Sequence, residues 1–217
     1  MFDRKAIGDS MKSFPRVFTS KRPAAIMLFA SLLLTAAGAG AAEFGHTHAA
    51  YDALLKQFVA DGRVDYQGLE SDSSALDHYL DSIAAISEAT FNAWTKPAQL
   101  AFLINLYNAA TLKLIVDHYP IKSIKNIGSF FKGPWDQPVV RLFGQTITLD
   151  NLEHDIIRKD YSEPRIHLAL VCAAKGCPPL ISEAYVAGRL DDQLDDLLGL
   201  DGEGEAALYI LSVGKPT

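Results

Sequence analysis

The stretch from residue 97 to residue 118 predicts one long helix that is apolar on nearly every side. Between Leu100 and Val116 polar residues are rare, and Pro120 ends the pattern. A helix of this composition must be buried on several sides, so it predicts the centre of a globular core. Asn105 and Asn108 lie three positions apart within it and share a face. Because buried amides need hydrogen-bond partners, we interpret both as structural polar residues that tie the helix to neighbouring backbone or to a site.

The first 42 residues have the pattern of a secretory signal peptide. Six basic residues precede an apolar run at residues 24–37, and small residues follow it up to a cleavage point after residue 41 or 42. The run is shorter than the ~20 residues that a membrane-spanning helix needs, so we expect no stable membrane anchor. The predicted location is periplasmic or secreted. His46 and His48, just beyond the cleavage point, are expected to be solvated.

Charge excludes some classes of partner. The chain has 20 basic and 26 acidic residues, of which 6 basic and 2 acidic lie in the first 42, so the remainder carries a formal charge of −10. A chain this acidic is not expected to bind nucleic acid or anionic lipid through its overall field. We expect the partner to be a peptide or a cell-envelope protein.

The remaining patterns predict an α+β fold in which helices pack on a small, mostly antiparallel sheet. Helical spacing of apolar residues occurs at about 49–60 and 74–86, and a turn follows the first segment at Asp61 and Gly62. Strands are predicted at 138–143 and 146–148, as a hairpin. No linker or repeat interrupts the chain, so we interpret residues 64–198 as one domain, preceded by a helix within 43–63.

Both cysteines, Cys172 and Cys177, lie in the stretch RIHLALVCAAKGCPPL, which also holds His167. Residues 166–172 predict a strand that is apolar on both faces and therefore central. In a regular strand His167 points away from the face that carries Cys172, so it is not the expected base for that thiol. A helix is predicted after the two prolines, at residues 183–198.

A second histidine, His154, follows Glu153 on a predicted helix that Thr148 caps. Glu153 lies on the apolar stripe of this helix and points toward the core, where an ionised carboxylate needs a cation or a hydrogen-bond donor. His154 is the better candidate base for Cys172, with Glu153 orienting the imidazole, as in a Cys-His-acid set. Besides a histidine, the candidate partners of the carboxylate are Arg141, Arg158 and Arg165.

Two other fates of the cysteines stay open. Export favours a disulfide between Cys172 and Cys177, and in that case neither is a nucleophile. Alternatively, the two cysteines form a zinc or copper site with His154 and His167, although four intervening residues are at the edge of the usual spacing. The sequence contains no phosphate-binding glycine loop, GxSxG or HExxH motif, so no cofactor is predicted.

Four segments are distinctive: VDYQGL, AFLINLYNAATLKLIVDHYPIKSIKNIG, PWDQPVVRLFGQTITLDNLEHDIIR and RIHLALVCAAKGCPPL. In this order they resemble the family called domain of unknown function 547 (DUF547), over about residues 64–198. The resemblance implies export, which is typical of bacterial members, and an analogy to papain- and transglutaminase-like thiol enzymes on an α+β fold. It also implies Cys172 as the nucleophile, because plant members often lack a cysteine at the position of Cys177.

The chain departs from the family pattern in two places. Leu103 stands where members usually carry Trp, and the position stays apolar. Residues 199–217 lack the aromatic, acidic ending of the family, which predicts a truncated or altered C-terminus.

We therefore expect an exported DUF547-domain protein that is a non-catalytic periplasmic binding or scaffold domain. The alternative is a papain-like thiol hydrolase or acyl-transferase that acts on a peptide or amide bond. Its nucleophile would be Cys172, its base His154 and its orienting acid Glu153, with Cys177 and His167 as further candidates. A metal-binding module is the second alternative.

Overall fold

The computed structural model describes residues 44–173 and 177–200. The predicted signal peptide and the chain after residue 200 lie outside these ranges. Among the described residues, helices predominate and two antiparallel hairpins accompany them, which confirms the α+β class. The helices are α1 (Ala49–Phe58), α2 (Tyr66–Ser71), α3 (Ser74–Ala84), α4 (Glu88–Asn92), α5 (Lys96–Val116), α6 (residues 149–160), α7 (Ile166–Ala169) and α8 (Leu190–Leu200). The hairpins are β1 (Val59–Ala60) with β2 (Arg63–Val64), and β3 (Pro138–Leu142) with β4 (Gln145–Thr148).

Helix α5 is the centre of the core, as its composition predicts. Thr95 caps it by accepting a hydrogen bond from the backbone N–H of Ala98, and Pro97 lies in its first turn. Nearly every residue from Ala98 to Val116 is buried. The helix is long and apolar enough to cross a membrane, but 94% of its apolar window is buried in the protein, as expected of a core helix.

The other elements surround α5. Helix α3 and strand β3 pack against it directly, and α1 packs against α3. The β1–β2 turn contains Gly62 with φ of +70°, and β3 pairs with β4 through a register that places Leu142 opposite Gln145. Helix α6 follows β4 and contacts α5 through the buried Leu152 and Ile157.

The prediction of a central strand at residues 166–172 is wrong. Residues 166–169 form the single helical turn α7, with Ile166, Ala169 and Leu170 buried, and the chain then continues without regular structure. A short apolar run does not distinguish a buried strand from a buried helical turn. The predicted helix at 183–198 also begins later, at Leu190, after a 3₁₀ turn at Ala187–Arg189.

The expectation that His46 and His48 are solvated is also wrong. The His48 side chain is 3% exposed, and its Nδ1 lies 2.8 Å from the hydroxyl of Tyr79 on α3. His46 is half-buried and packs edge-on against Trp94, with 4.5 Å between the ring centroids. Aromatic rings that are distant in sequence, Tyr79, Trp94 and Phe102, therefore cover the two histidines.

Candidate functional site

Cys172 and Cys177 are joined by a disulfide, with their Cα atoms 6.0 Å apart. Both residues are half-buried and lie in the chain that follows α7. Ala173 follows with φ of +51°, a left-handed conformation that costs a residue with a Cβ about 1–2 kcal/mol. An uncommon backbone conformation therefore directly follows Cys172.

Asn108 holds the segment that leads to the disulfide. Its Nδ2 donates to the carbonyl of Ala169 at 2.9 Å, and its Oδ1 accepts from the backbone N–H of Val171 at 2.9 Å. One side-chain amide thus provides the pair of hydrogen bonds that a neighbouring strand would otherwise make. This contact positions the backbone immediately before Cys172 from the centre of the core.

Asn105, one helical turn earlier, holds the segment after the disulfide in the same way. Its Nδ2 donates to the carbonyl of Tyr185 at 2.8 Å, and its Oδ1 accepts from the N–H of Tyr185 at 3.0 Å. Gln193 adds a third amide from α8, which accepts from Val186 N–H and donates to Ala184 carbonyl. The two asparagines of α5 therefore anchor both sides of the disulfide loop to one rigid helix.

A cluster of titratable side chains lies where α6 meets α5 and α7. Residues Asn151–Ile157 of α6 are π-helical, and the backbone N–H of Arg158 bonds to the carbonyl of Glu153. This i→i+5 connection brings the two side chains together, and the Arg158 guanidinium donates to the Glu153 carboxylate. In an α-helix, neighbours on one face are three or four residues apart, so the π turn makes the ion pair possible.

The cluster extends to Tyr107 and His167. Burial raises the pKa of the Tyr107 hydroxyl far above its usual value, and the negative charge of Glu153 and a hydrogen bond with it add to the rise. His167 Nε2 lies 3.3 Å from a guanidinium nitrogen of Arg158. Burial lowers the pKa of His167, as do the positive charges of Arg158 and His154, while Glu153 opposes this shift. Because an arginine only donates, His167 accepts at Nε2 and is held as the neutral imidazole.

His154, the predicted base, lies on the exposed side of α6. Its Nδ1 is 3.3 Å from both the backbone carbonyl and the carboxylate of Asp150, and about half of its side chain is exposed. Glu153 has Arg158 as its partner, one of the three arginines considered; Arg141 pairs with Asp81. The structure brings Glu153 and His167 together through Arg158, while His154 bonds to Asp150.

A pocket of about 440 Å³ opens beside the disulfide. The β1–β2 turn forms one wall. The other wall, which we call the disulfide loop, consists of Val171, Ala173 and residues 177–180 among the described residues. Gly62 and Pro179 are so close that a methyl group added at Gly62 would lie only 2.5 Å from Cβ of Pro179. The two walls are therefore in contact at this glycine. Arg63 is exposed at the pocket and takes part in none of the ion pairs between described residues. The described lining residues are Gly62, Arg63, Val64, Tyr66, Val171, Ala173, Cys177, Pro178, Pro179 and Leu180.

A second pocket, of about 430 Å³, lies between the start of α5 and α8. Among its charged side chains, Arg165 bonds to Glu163 and Asp191 at 2.7 Å each and also to Asp195. Lys96, which also lines this pocket, lies 4.9 Å from the centroid of the Tyr161 ring. Hydrogen bonds from Arg165 and its positive charge hold the pKa of Glu163 below its usual value, while burial and the negative charge of Asp191 oppose this shift. The Arg165 guanidinium is already engaged, whereas Arg63 pairs with none of the residues that the structure describes, so we take the pocket at the disulfide as the candidate binding site.

Metal ligands do not converge in the part of the chain that the structure describes. Within residues 44–173 and 177–200 there is no group of three His, Cys, Asp or Glu side chains placed to hold a metal ion. The four residues considered for such a site divide between the disulfide and the α6 cluster.

Several residues of the site carry no signal in the sequence. Tyr107 lies within the apolar run of α5, where its pattern does not distinguish it from a core residue, and Arg63 is a single basic residue at the start of β2. The need of the Glu153 carboxylate for a cation was the available signal, and Arg158 was one of three arginines that it indicated. The spacing of five residues does not favour Arg158, because side chains on one face of a regular α-helix are three or four residues apart.

Comparison with known proteins identifies one family. The family model described as "Protein of unknown function, DUF547" matches residues 91–198, a range that begins later than the resemblance read from the sequence. No curated protein and no solved structure matches the chain.

Proposed function

Since the chain belongs to the DUF547 family, whose description assigns no activity, we propose from its own geometry that it is a non-catalytic binding domain of the periplasm. The observation that carries the proposal is the Cys172–Cys177 disulfide. The nucleophile of a thiol enzyme is a thiolate, and a sulfur bonded to another sulfur is not one. The two candidate bases are also engaged, His154 by Asp150 and His167 by Arg158.

The binding site of this proposal is the pocket beside the disulfide. Its walls are apolar at Val64, Val171 and Leu180, and Arg63 supplies at its edge a positive charge that forms no ion pair with any described residue. An apolar pocket with few polar groups suits a ligand with a buried apolar part and one oriented polar group. The ligand class that fits is a peptide segment of a cell-envelope protein with an aliphatic or aromatic side chain next to a carboxylate.

The anchoring of the loop supports binding rather than turnover. Asn108 and Asn105 fix the backbone at residues 169–171 and at Tyr185, so the described segments that flank the disulfide are positioned before a ligand arrives. A preformed wall reduces the conformational entropy that binding must overcome.

Alkylation tests the state of the cysteines. Intact protein purified without reductant is treated with iodoacetamide in the folded state, and its mass is measured. We expect no adduct on the folded protein, and adducts on both Cys172 and Cys177 once reductant and denaturant are added. Rapid labelling of Cys172 in the folded, unreduced protein would contradict the proposal.

A peptide-binding experiment tests the pocket. Peptides selected from a random phage-displayed library on the immobilised protein are measured against the parent and against Arg63→Glu. We expect the substitution to weaken acidic peptides at least tenfold, because it replaces a favourable charge with a repulsive one. The matched control is Lys159→Glu, an exposed charge reversal outside the pocket, which should leave binding unchanged. Equal loss in both variants, or no loss in either, would contradict the pocket assignment.

The second candidate function is a papain-like thiol hydrolase or acyl-transferase that becomes competent on reduction. The observation that favours it is the connected cluster of Tyr107, Glu153, Arg158 and His167. Tyr107 of this cluster is adjacent in α5 to Asn108, which positions the segment before Cys172. Perturbed titratable groups of this kind are typical of functional sites, although ion-pair networks also produce them.

The pH dependence of alkylation separates the two candidates. In the reduced, folded protein, a catalytic Cys172 would react as a thiolate well below the ordinary pKa of about 8.5. That reactivity would be lost in His154→Ala or His167→Ala, depending on which imidazole is the base. We expect an ordinary cysteine profile in the parent and in both variants. Elemental analysis of the same preparation tests the metal-binding alternative.

A further inference from the structure

One turn of the chain presents two phenylalanines to solvent. Phe130 is 96% exposed and Phe131 is 90% exposed, and they are the large apolar side chains that stand out at the surface of the described residues. Single exposed apolar residues are common, but two adjacent aromatic rings at nearly full exposure indicate an interaction site. We refer to residues 129–132 as the aromatic turn.

Hydrogen bonds hold the backbone of the aromatic turn in a defined conformation. Ser129 N–H donates to the Lys132 carbonyl at 2.8 Å, and Lys132 N–H donates back to Ser129 at 3.3 Å. Gly128, with φ of +106°, precedes it, and a methyl group there would lie 2.2 Å from the Lys132 carbonyl. Gln137 braces the same carbonyl through its side-chain amide. The backbone therefore holds both rings outward in a defined conformation.

The segment on either side of the turn is anchored in the core. Ile124 and Ile127 are buried before it, and Pro134 is buried after it. The two exposed rings contact each other edge to face, with 5.2 Å between their centroids. Since both ends are fixed, the rings cannot fold back onto the protein without breaking these contacts.

The positive charges around the turn favour a negatively charged partner. Lys122, Lys125 and Lys132 are exposed, and no acidic residue occurs between Asp117 and Asp136. None of the three lysines takes part in the ion pairs between described residues. Asp136, at the edge of the segment, directs a carboxylate oxygen to the backbone N–H of Gly133. The chain as a whole is acidic, but at physiological salt a charge acts only over about 8 Å, so this patch is locally positive.

We propose that the aromatic turn inserts Phe130 and Phe131 into the surface of an anionic lipid bilayer while the three lysines contact the headgroups. Aromatic rings lie favourably at the boundary between headgroups and acyl chains, and basic residues beside them are attracted to negative lipid. Two exposed aromatic rings flanked by exposed lysines are the combination found on surfaces that bind the interface of anionic membranes. This attachment is peripheral and shares no residue with the pocket at the disulfide.

Vesicle binding tests the proposal. The chain that begins at Ala42 is used, because it retains the whole described core and lacks the apolar N-terminal segment, which would itself bind lipid. Binding is measured by co-sedimentation with vesicles of equimolar phosphatidylcholine and phosphatidylglycerol, and with vesicles of phosphatidylcholine alone. We expect binding to the anionic vesicles that weakens as salt is added, and much weaker binding to the neutral ones.

Variants assign the binding to the turn. Phe130→Ser with Phe131→Ser should reduce affinity for anionic vesicles more than tenfold, and Lys132→Gln should reduce it on the order of fivefold. Lys159→Gln, an exposed lysine on α6, is the control and should bind as the parent does. The proposal is overturned if the double serine variant binds like the parent or if the parent binds neither vesicle. It is also overturned if the serine substitutions abolish only self-association, measured by sedimentation, because the partner is then a second copy of the chain.

Discussion

A single buried imidazole, that of His48, couples the stability of the fold to pH. Burial lowers the pKa of His48 from 6.5 to about 4, with a smaller contribution from His46. Above pH 6.5 the imidazole is neutral in both the folded and the unfolded protein. Between pH 6.5 and about 4 only the unfolded protein gains a proton, so the free energy of unfolding falls as the pH is lowered.

We predict that His48→Asn removes this dependence. Asparagine tolerates the left-handed backbone at this position, where φ is +49°, and it does not titrate. The parent should lose about 2 kcal/mol of unfolding free energy between pH 7 and pH 5 in excess of the variant, by linkage. Urea unfolding at the two pH values measures the difference. An equal loss in both proteins would show that other groups carry the acid sensitivity.

Gly62 allows the contact between the β1–β2 turn and the disulfide loop to be measured. Gly62 and Gly144 both have positive φ, of +70° and +74°, so an alanine at either strains the backbone by about 1–2 kcal/mol. A methyl group at Gly62 also meets Pro179, whereas one at Gly144 meets nothing within 4 Å. We predict that Gly62→Ala is more destabilising than Gly144→Ala by about 1–3 kcal/mol in urea unfolding, the usual range for overpacking. Equal losses would mean that the turn and the loop are not in contact.

Among the secondary-structure elements, α6 is the one in which the helix geometry determines how charged side chains are paired. Its π turn aligns Glu153 with Arg158, and both act on the pKa of His167 in opposite directions. Because the π conformation leaves the side chains five residues apart on one face, the element itself sets the electrostatics of the cluster.

Opposite substitutions in α6 should move the pKa of His167 in opposite directions. Arg158→Gln removes a positive charge and should raise it, whereas Glu153→Gln removes a negative charge and should lower it further. An NMR titration of the imidazole measures both. Lys159→Gln is the control, since Lys159 is not among the groups that act on His167. Shifts of the same sign in both variants would contradict the arrangement of the cluster.

For the whole molecule, the core and the disulfide make separable contributions. The buried residues of α1, α3 and α5 form one apolar cluster that needs no covalent link. The disulfide closes a loop in which the cysteines are five positions apart, so it removes little chain entropy from the unfolded state.

We predict that Cys172→Ser with Cys177→Ser leaves a folded protein that is less stable by about 2 kcal/mol, as the loop-closure relation gives for so short a loop. Urea unfolding of the variant, and of the parent with and without reductant, measures this value. The reduced parent should behave like the variant. Failure of the variant to fold would show that the core depends on the disulfide.

The sequence determined those features that depend on local periodicity and on the chemistry of single side chains. The burial of α5, the extents of α1 and α3 and the β3–β4 hairpin follow from the spacing of apolar residues. The requirement that Asn105 and Asn108 find partners follows from the amide group, whatever the fold.

Tertiary structure alone decided which distant groups meet. Residues 166–169 close a helical turn through the bond from Leu170 N–H to the Ile166 carbonyl, and the Asn108 side chain, in place of a neighbouring strand, bonds to the Ala169 carbonyl and the Val171 N–H. His48 is buried because aromatic rings on other helices cover it, and Glu153 finds Arg158 because packing widens α6 into a π turn. The spacing of apolar residues within a segment predicts which side of that segment faces the core. A hydrogen bond or an ion pair joins two groups, and the spacing within one segment does not show which distant group is the second partner.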